Sequence, residues 1–298
     1  MPAPINLSCF MNVRNVLQQG YPFVQAIEAA LPICDEFIIS DGYSTDGTFE
    51  VLKKLKDQHS KIDLVRIQWN LASSYTKFGE VIAETANKTR QLCSGEYLFY
   101  IQANEVIHEK SINTIKNLPK LFPYIEIFHL PYYLILGRNI LIEYQFRARL
   151  FKNTPDIAVV KDAAQVSYTY KAMAKRLLSI LFKINKDYKI YDVFTRGGMD
   201  SKLFAHFSLP SPIFRYISLT PDAYLSKLKG HMQLFRTVKK DFEEGQEKIK
   251  KYGFSDSLLR EMMKEKRAGL ISNHIIRIPI RDQPEVMRKA LEKVNVLR

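Results

Sequence analysis

The sequence predicts an α/β protein: a mostly parallel sheet flanked by helices over residues 1–215, then a helical C-terminal region over 216–298. Three observations carry that prediction. Short apolar runs alternate with helix-spaced segments through the first hundred residues, polar clusters stand directly after the second and fourth runs, and charged amphipathic segments dominate beyond residue 215. Short strands separated by helices are βαβ units; they pair in parallel and bind ligands at their carboxyl ends.

Ile5 to Met11 is a short apolar run that reads as a buried strand. Leu17 to Ala30 has helical spacing, with Val24, Ile27 and Leu31 on one side. Glu36 to Ser40 is the second strand and ends at the polar cluster Asp41 to Thr48. Phe49 to Leu55 reads as a helix, Ile62 to Trp69 as a third strand, Gly79 to Cys93 as a longer helix and Tyr97 to Ile101 as a fourth strand. From about residue 125 the alternation breaks. Ile125 to Leu136 and Phe146 to Lys152 read as strands added to the sheet, and Lys171 to Lys189 is a basic, apolar segment with partial helical periodicity. Asp222 to Lys251, Ser257 to Leu270 and Gln283 to Leu297 are amphipathic helices; no repeat or low-complexity linker separates domains.

With 298 residues, 46% of them hydrophobic and 25% charged, the chain has the composition of a globular protein with a sizeable core. Its charge of +13 favours an acidic partner: a nucleotide diphosphate, nucleic acid or an anionic membrane face. Cys9, Cys34 and Cys93 are far apart and form no CxxC pair, which disfavours a zinc or redox site and suits buried, reduced thiols in a cytoplasmic protein. Neither a signal peptide nor a membrane-spanning run is legible, so a soluble or peripheral protein is expected. Lys171 to Lys189 sets basic residues around an apolar stripe, which fits either a membrane interface or a core-packed helix with a solvated basic face.

Two stretches carry chemistry. In Asp41-Gly-Tyr-Ser-Thr-Asp-Gly-Thr48, a carboxylate at a strand's end can accept from a nucleotide's base or ribose; Gly42 and Gly47 permit a tight turn and Asp46 can cap the next helix. The same loop reads equally well as a well-capped connector. In Gly95 to Glu105 an apolar strand runs into Gln102, Asn104 and Glu105, oxygen-bearing side chains that suit Mg²⁺ or Mn²⁺ and a diphosphate, or simply a polar turn.

Together these stretches resemble glycosyltransferase family 2, with its A-type nucleotide-sugar-binding fold. There a first strand ends in V-R-N, a second leads into D-G-x-S-T-D-G-T and a fourth into an acidic motif. Here the corresponding residues are Val13-Arg14-Asn15, Asp41 to Thr48, and Gln102-Ala103-Asn104-Glu105. Lys77 to Asn87 and Arg147 to Asn153 are similar to a branch that writes the metal motif Q-A-D-E, and the likeness covers roughly residues 5–155.

The resemblance implies a nucleotide-diphosphate sugar donor held by Asn12, Arg14, Asp41, Asp46, Gln102, Arg147 and Arg149, with Mg²⁺ or Mn²⁺ at Asn104, Glu105 and His206. It implies inverting, hexosyltransferase-type transfer to a glycan, lipid-linked or protein hydroxyl, and a carboxylate base. Asp162 is the first choice for that base, ahead of Glu143 and Asp156. Two residues depart from the pattern: Val16 replaces the acidic residue after V-R-N, and Asn104 replaces the metal-binding aspartate, which should weaken cation binding. His206 and Arg215 stand where the branch carries an H-Y-x-x-V-R segment. The alternatives are a degenerate nucleotide-sugar-binding protein without transfer activity, or a basic nucleic-acid-binding protein. The latter is disfavoured because Lys and Arg are spread along the chain with no recognition motif.

Overall fold

The structure, a computed structural model, describes residues 6–72, 80–161, 163, 165–174, 204–234, 239–255 and 276–295. Four parallel strands form its first half: β1 (Leu7–Val13), β2 (Glu36–Asp41), β3 (Ile62–Arg66) and β4 (Tyr97–Tyr100), in the spatial order β3-β2-β1-β4. Helices α1 (Phe23–Ala30), α2 (Thr48–Gln58) and α3 (Glu80–Arg90) connect them in turn. The alternation read from the sequence is thus the α/β architecture observed.

Period-two patterning assigns each strand's two faces to two cores. Cys9, Met11, Phe37, Ile39, Tyr97 and Phe99 join Ala26, Ile27, Leu52 and Leu55 of α1 and α2 on one face. Phe10, Ile38, Leu98 and Tyr100 join Ala83 and Ala86 of α3 on the other. Small residues on α3 let it lie close to the sheet, and Thr89 Oγ1 meets Ser40 Oγ at 2.6 Å. The chain therefore changes sheet face between β3 and β4, which makes the β1–β4 boundary a topological switch point. Ligand crevices of open α/β sheets form outside the carboxyl ends of strands at such a point.

The sheet then continues in a second half with mixed directions. A short β5 (Glu105–Val106) precedes α4 (Ile112–Leu121), and a long hairpin follows, β6 (Ile127–Leu136) and β7 (Ile140–Lys152), with β7 antiparallel to β4. The first half of β7 extends well before Phe146, where the sequence expectation began; its Ile140 and Ile142 are buried at alternate positions. A hairpin of β8 (Ile157–Val160) and β9 (Gln165–Tyr168) stands apart as a two-stranded sheet. Then β10 (Phe204–His206) and β11 (Ile213–Ser218) add to β6 in parallel, and β11 pairs β5 antiparallel.

Helices α5 (Pro221–Leu234) and α6 (Lys239–Tyr252) follow, as their amphipathic pattern predicts. The last described segment returns to the sheet: β12 (Ile276–Arg277) pairs β7, and α7 (Glu285–Asn295) buries Met287 and Leu291 in the same core as α1. Gln283 bolts it down, accepting from Tyr216 Oη at 2.8 Å and donating to the Arg138 carbonyl at 2.8 Å. Most of Lys171 to Lys189, and Ser257 to Leu270, lie outside the described residues. No described helix is long and apolar enough to cross a membrane, and the three cysteines are free and buried.

Candidate active site

At the switch point the ends of β1 and β4 are tied together. Asn12, the penultimate residue of β1, accepts from Tyr100 Oη at 3.0 Å and donates to the Ile82 carbonyl of α3 at 3.3 Å. Arg14, partly exposed just beyond β1, lies next to Gly42, where an added Cβ would meet it at 3.0 Å. The same Cβ would meet the Trp69 indole at 2.5 Å, so only glycine permits this approach of the loop to Trp69.

The loop after β2 is held from within. Asp41 is fully buried; its carboxylate accepts from the Ser44 amide at 3.1 Å and from Arg66 Nε at 3.2 Å. Parallel pairing sets Asp41 directly beside Arg66 of β3, whose guanidinium then lies over the Tyr43 and Phe49 rings at 4.3 and 4.2 Å. Asn15 Oδ1 accepts from the Thr45 amide at 2.9 Å, and its own amide donates to Ser44 Oγ at 2.9 Å. Asp46 accepts from the amides of Gln18 at 2.7 Å and Thr48 at 3.0 Å, so it serves both the entry to α2 and the turn after β1. Gly47 completes the turn at φ +92°. Bonds within the loop and to Asn15, Gln18 and Arg66 thus fix its shape; Tyr43, 46% exposed, and Thr45 are presented to solvent.

The stretch after β4 forms a charge cluster. Glu105 is fully buried and bound in a two-pronged fork by fully buried Arg149, Nη2 to Oε1 at 2.7 Å and Nε to Oε2 at 3.0 Å. The Gln102 amide donates to Oε2 at 3.1 Å, Tyr132 Oη donates to it at 3.3 Å, and Arg215 Nε lies 3.9 Å from Oε1. Two register features bring the arginines here. The β5–β11 pairing sets Arg215 opposite Glu105, and a bulge at Arg149, where Phe128 pairs Leu150 but His129 pairs Ala148, re-aims the Arg149 side chain. Burial alone would raise the Glu105 pKa, but the charge and hydrogen bonds of Arg149, then Arg215 and the Gln102 amide, hold the carboxyl below its ordinary value. Arg149 moves the opposite way: burial works against its charge, and Glu105 more than compensates.

Arg147, two residues back along β7, has no such compensation. Its Nε is buried without a hydrogen-bond partner. Burial, followed by the like charges of Arg215 and Arg149, lowers its pKa. Glu105 and Glu143 act in its favour and do not offset that. Among the described residues, three guanidinium groups therefore face two carboxylates, and one of these, Glu105, is already engaged by Arg149.

The residues named from sequence thus fall into groups. Asn12, Arg14, Asp41, Asp46 and Gln102 gather at the carboxyl ends of β1, β2 and β4, with Arg147 and Arg149 on β7, the neighbour of β4. Gln102 Nε2 donates to the Ala163 carbonyl at 3.1 Å, which ties the β8–β9 turn to the end of β4. Asp162 itself lies outside the described residues; its neighbours Lys161 and Ala163 both have positive φ. Glu143 is half-buried on β7, paired with Leu134.

The three residues expected around a cation do not converge. Asn104 is buried, and its amide donates to the Tyr216 carbonyl at 2.9 Å while its backbone oxygen accepts from the Tyr216 amide. It stitches β11 to the end of β4. Glu105 is taken by Arg149, and the His206 ring packs on Phe146 and His129. No group of three or more His, Cys, Asp or Glu able to hold a metal occurs among the described residues. The donor set therefore does not fit the divalent cation that the sequence resemblance implies. Arg66, Tyr100 and Tyr132 were not singled out from sequence. The sequence run Ile62 to Trp69 passes over Arg66; the observed strand ends there, as β2 ends at Asp41, and parallel pairing aligns the two.

No protein-family model matches the chain, and no curated protein matches it. Solved structures with similarity to it include Staphylococcus aureus TarS residues 1–349: 10% identical, covering 77% of this chain and 65% of that one, at a TM-score of 0.40. TarS 1–349 in complex with UDP-GlcNAc is 13% identical over 45% of this chain and 35% of that one, at a TM-score of 0.31. The mannosyltransferase PcManGT from Pyrobaculum calidifontis, in complex with GDP-Man and Mn²⁺, is 15% identical over 51% of this chain and 45% of that one, at a TM-score of 0.36. In each case the chain spans less than two thirds of the length of the structure it matches.

Proposed function

We propose that this chain is a glycosyltransferase that moves a hexosyl group from a nucleotide-diphosphate donor to a hydroxyl of a glycan, lipid-linked or protein acceptor, with inversion at the anomeric carbon. The observation that carries the reading is an over-cationic, partly buried arginine cluster next to the switch point, beside a loop of the D-G-x-S-T-D-G-T type. A diphosphate is the anion that such a cluster suits, because planar guanidinium groups take phosphate oxygens two at a time. The loop suits the nucleoside: Tyr43 is exposed next to Arg66, and Asn12, Arg14 and Gln102 line the strand ends.

In the proposed reaction the acceptor hydroxyl loses its proton to a carboxylate, Asp162 or Glu143, as its oxygen attacks the anomeric carbon from the face opposite the leaving group. The bond from that carbon to the diphosphate oxygen breaks, and its electron pair stays with the diphosphate. Negative charge grows there in the transition state, where pre-positioned guanidinium groups stabilise it most. Residues 1–215 form the catalytic domain in this reading, completed by the segment 276–295 that returns to the sheet. The basic stretch from Lys171 to Lys189 would bring the enzyme to the membrane face where lipid-linked acceptors lie.

The test is thermal stability of the full chain against UDP-, GDP-, ADP- and dTDP-linked sugars. A ligand at a hundred times its Kd stabilises the folded state by about 2.7 kcal/mol. A clear shift with one base supports the reading and names the donor class. Flat curves with all four reject it. A shift without transfer or donor hydrolysis would assign the chain to nucleotide-sugar binding alone.

A further inference from the structure

The disagreement between the sequence motif and its donor set points to how the site handles charge. We propose that it binds a diphosphate without a divalent cation, Arg147 and Arg215 supplying the positive charge and the Glu105–Arg149 pair forming a rigid floor beneath them. The inference rests on the reading of the chain as a nucleotide-sugar transferase, and replaces the cation that the sequence resemblance implies.

Four observations carry it. Both oxygens of Glu105 are committed to Arg149, with Tyr132 and the Gln102 amide on Oε2, so a metal would have to break a fully buried two-pronged ion pair. The neighbouring Asn104 is neutral, so it brings no charge to a cation, and its amide NH₂ holds the side chain to the Tyr216 carbonyl. A cation here would also face three guanidinium groups, whose repulsion disfavours it in a partly desolvated site. Finally, Arg147 Nε is buried with no acceptor, an arrangement that costs free energy until an anion supplies one. Arg147 and Arg215 are also the partly exposed members of the cluster, whereas Arg149 is sealed. They are the pair that can reach an incoming phosphate.

The chemistry then balances on the protein alone. The departing diphosphate carries away the electron pair of the broken anomeric bond, and the two guanidinium groups accept its charge. The acceptor's proton stays on the carboxylate base.

Calorimetry on the full chain tests this, with inorganic pyrophosphate and with UDP, GDP, ADP and dTDP, each in EDTA and in millimolar Mn²⁺. Pyrophosphate is expected to bind in EDTA and no more tightly in Mn²⁺, which neutralises part of its charge, and Arg147→Met or Arg215→Met to weaken binding in EDTA at least tenfold, as loss of a charged hydrogen bond does. Arg147→Met should fold as well as the parent, or better, because it removes an unpaired buried donor and a like charge. Its melting temperature therefore separates lost binding from lost structure, and Arg147→Lys, keeping the charge without the fork, should fall between. Binding that appears only with Mn²⁺, or pyrophosphate affinity untouched in Arg147→Met, overturns the inference. The nucleotides separate it from the broader reading. Nucleotide bound only with Mn²⁺ would leave the transferase reading standing and remove the cation-free site. Metal-free, arginine-dependent pyrophosphate binding with no nucleotide bound would keep the arginine site and reject the transferase.

Discussion

Replacing Glu105 with Gln probes the centre of the site and the stability of the second half of the sheet together. The carboxylate is fully buried and takes both prongs of Arg149, at 2.7 and 3.0 Å. Glutamine keeps the shape but removes the charge, and turns an amide NH₂ toward a donor on one side. Removing one partner of a buried pair typically costs about 3–5 kcal/mol. The Tyr100 and Tyr132 rings, 5.2 and 5.7 Å from the Arg149 guanidinium, stay in place. Their cation–π attraction is present in both proteins and leaves the difference unchanged. A loss of about 3–5 kcal/mol is therefore expected, a large share of the ~5–15 kcal/mol that holds a domain together. Urea unfolding at neutral pH, followed by circular dichroism with the slope m compared between variants, reads it directly. A loss below about 1 kcal/mol would refute the reasoning, since an exposed ion pair is worth no more than that. The companion variant Glu105→Leu with Arg149→Met should lose less than Glu105→Gln alone, because replacing both charges by apolar groups leaves neither stranded.

Three further outcomes are expected. His129 is held neutral by burial and by its neighbour His206, which bring its pKa down from 6.5 to about 4. Its folded value is depressed, so the contribution is present above pH 6.5 and lost as pH falls toward 4, on the order of 2 kcal/mol after solvent screening; His129→Gln should flatten the stability curve in that window, and an unchanged slope would dismiss the histidine. Gly47→Ala should cost about 1–2 kcal/mol through its φ of +92° alone, since the added methyl would meet Leu17 at an ordinary 3.4 Å; unaltered urea stability would show that the turn relaxes. Asp41→Ala removes a buried acceptor of the Ser44 amide and Arg66, so a stability loss of about 2–3 kcal/mol should accompany any fall in nucleotide affinity. Full stability with lost affinity would instead make Asp41 a direct ligand of the nucleotide.

The parallel half of the fold was legible because each of its elements is local. Cys9, Phe10 and Met11 alternate between two buried faces, and Phe23, Ala26, Ile27 and Ala30 repeat at helical spacing. The second half was less so. β5, β10 and β12 are two or three residues long, too short for periodicity to register, and exist because β11, β6 and β7 offer them free edges. Gln283 to Leu297 reads as an amphipathic helix, but nothing in its pattern says that Met287 and Leu291 pack in the core of the first strands. That is decided by Gln283, through its bonds to Tyr216 and the Arg138 carbonyl, both far away in sequence.

The site shows the same division between place and role. Gln102, Asn104 and Glu105 stand at the end of β4 because an apolar strand ends there, and position was readable from spacing alone. Their roles were not, because each is set by a distant partner: Ala163 for Gln102, Tyr216 for Asn104, Arg149 for Glu105. Glu105 has little left for a cation once both its oxygens are on Arg149, and Asn104 brings it no charge. The bulge in β7 matters most here, since it brings Arg149 onto Glu105, and no one-dimensional pattern announces a bulge. An acidic residue at a strand's end is therefore ambiguous between metal ligand and counter-ion until the opposite strand is known. In this chain Arg149 resolves it as a counter-ion, and leaves Arg147 as the buried donor in need of an anion.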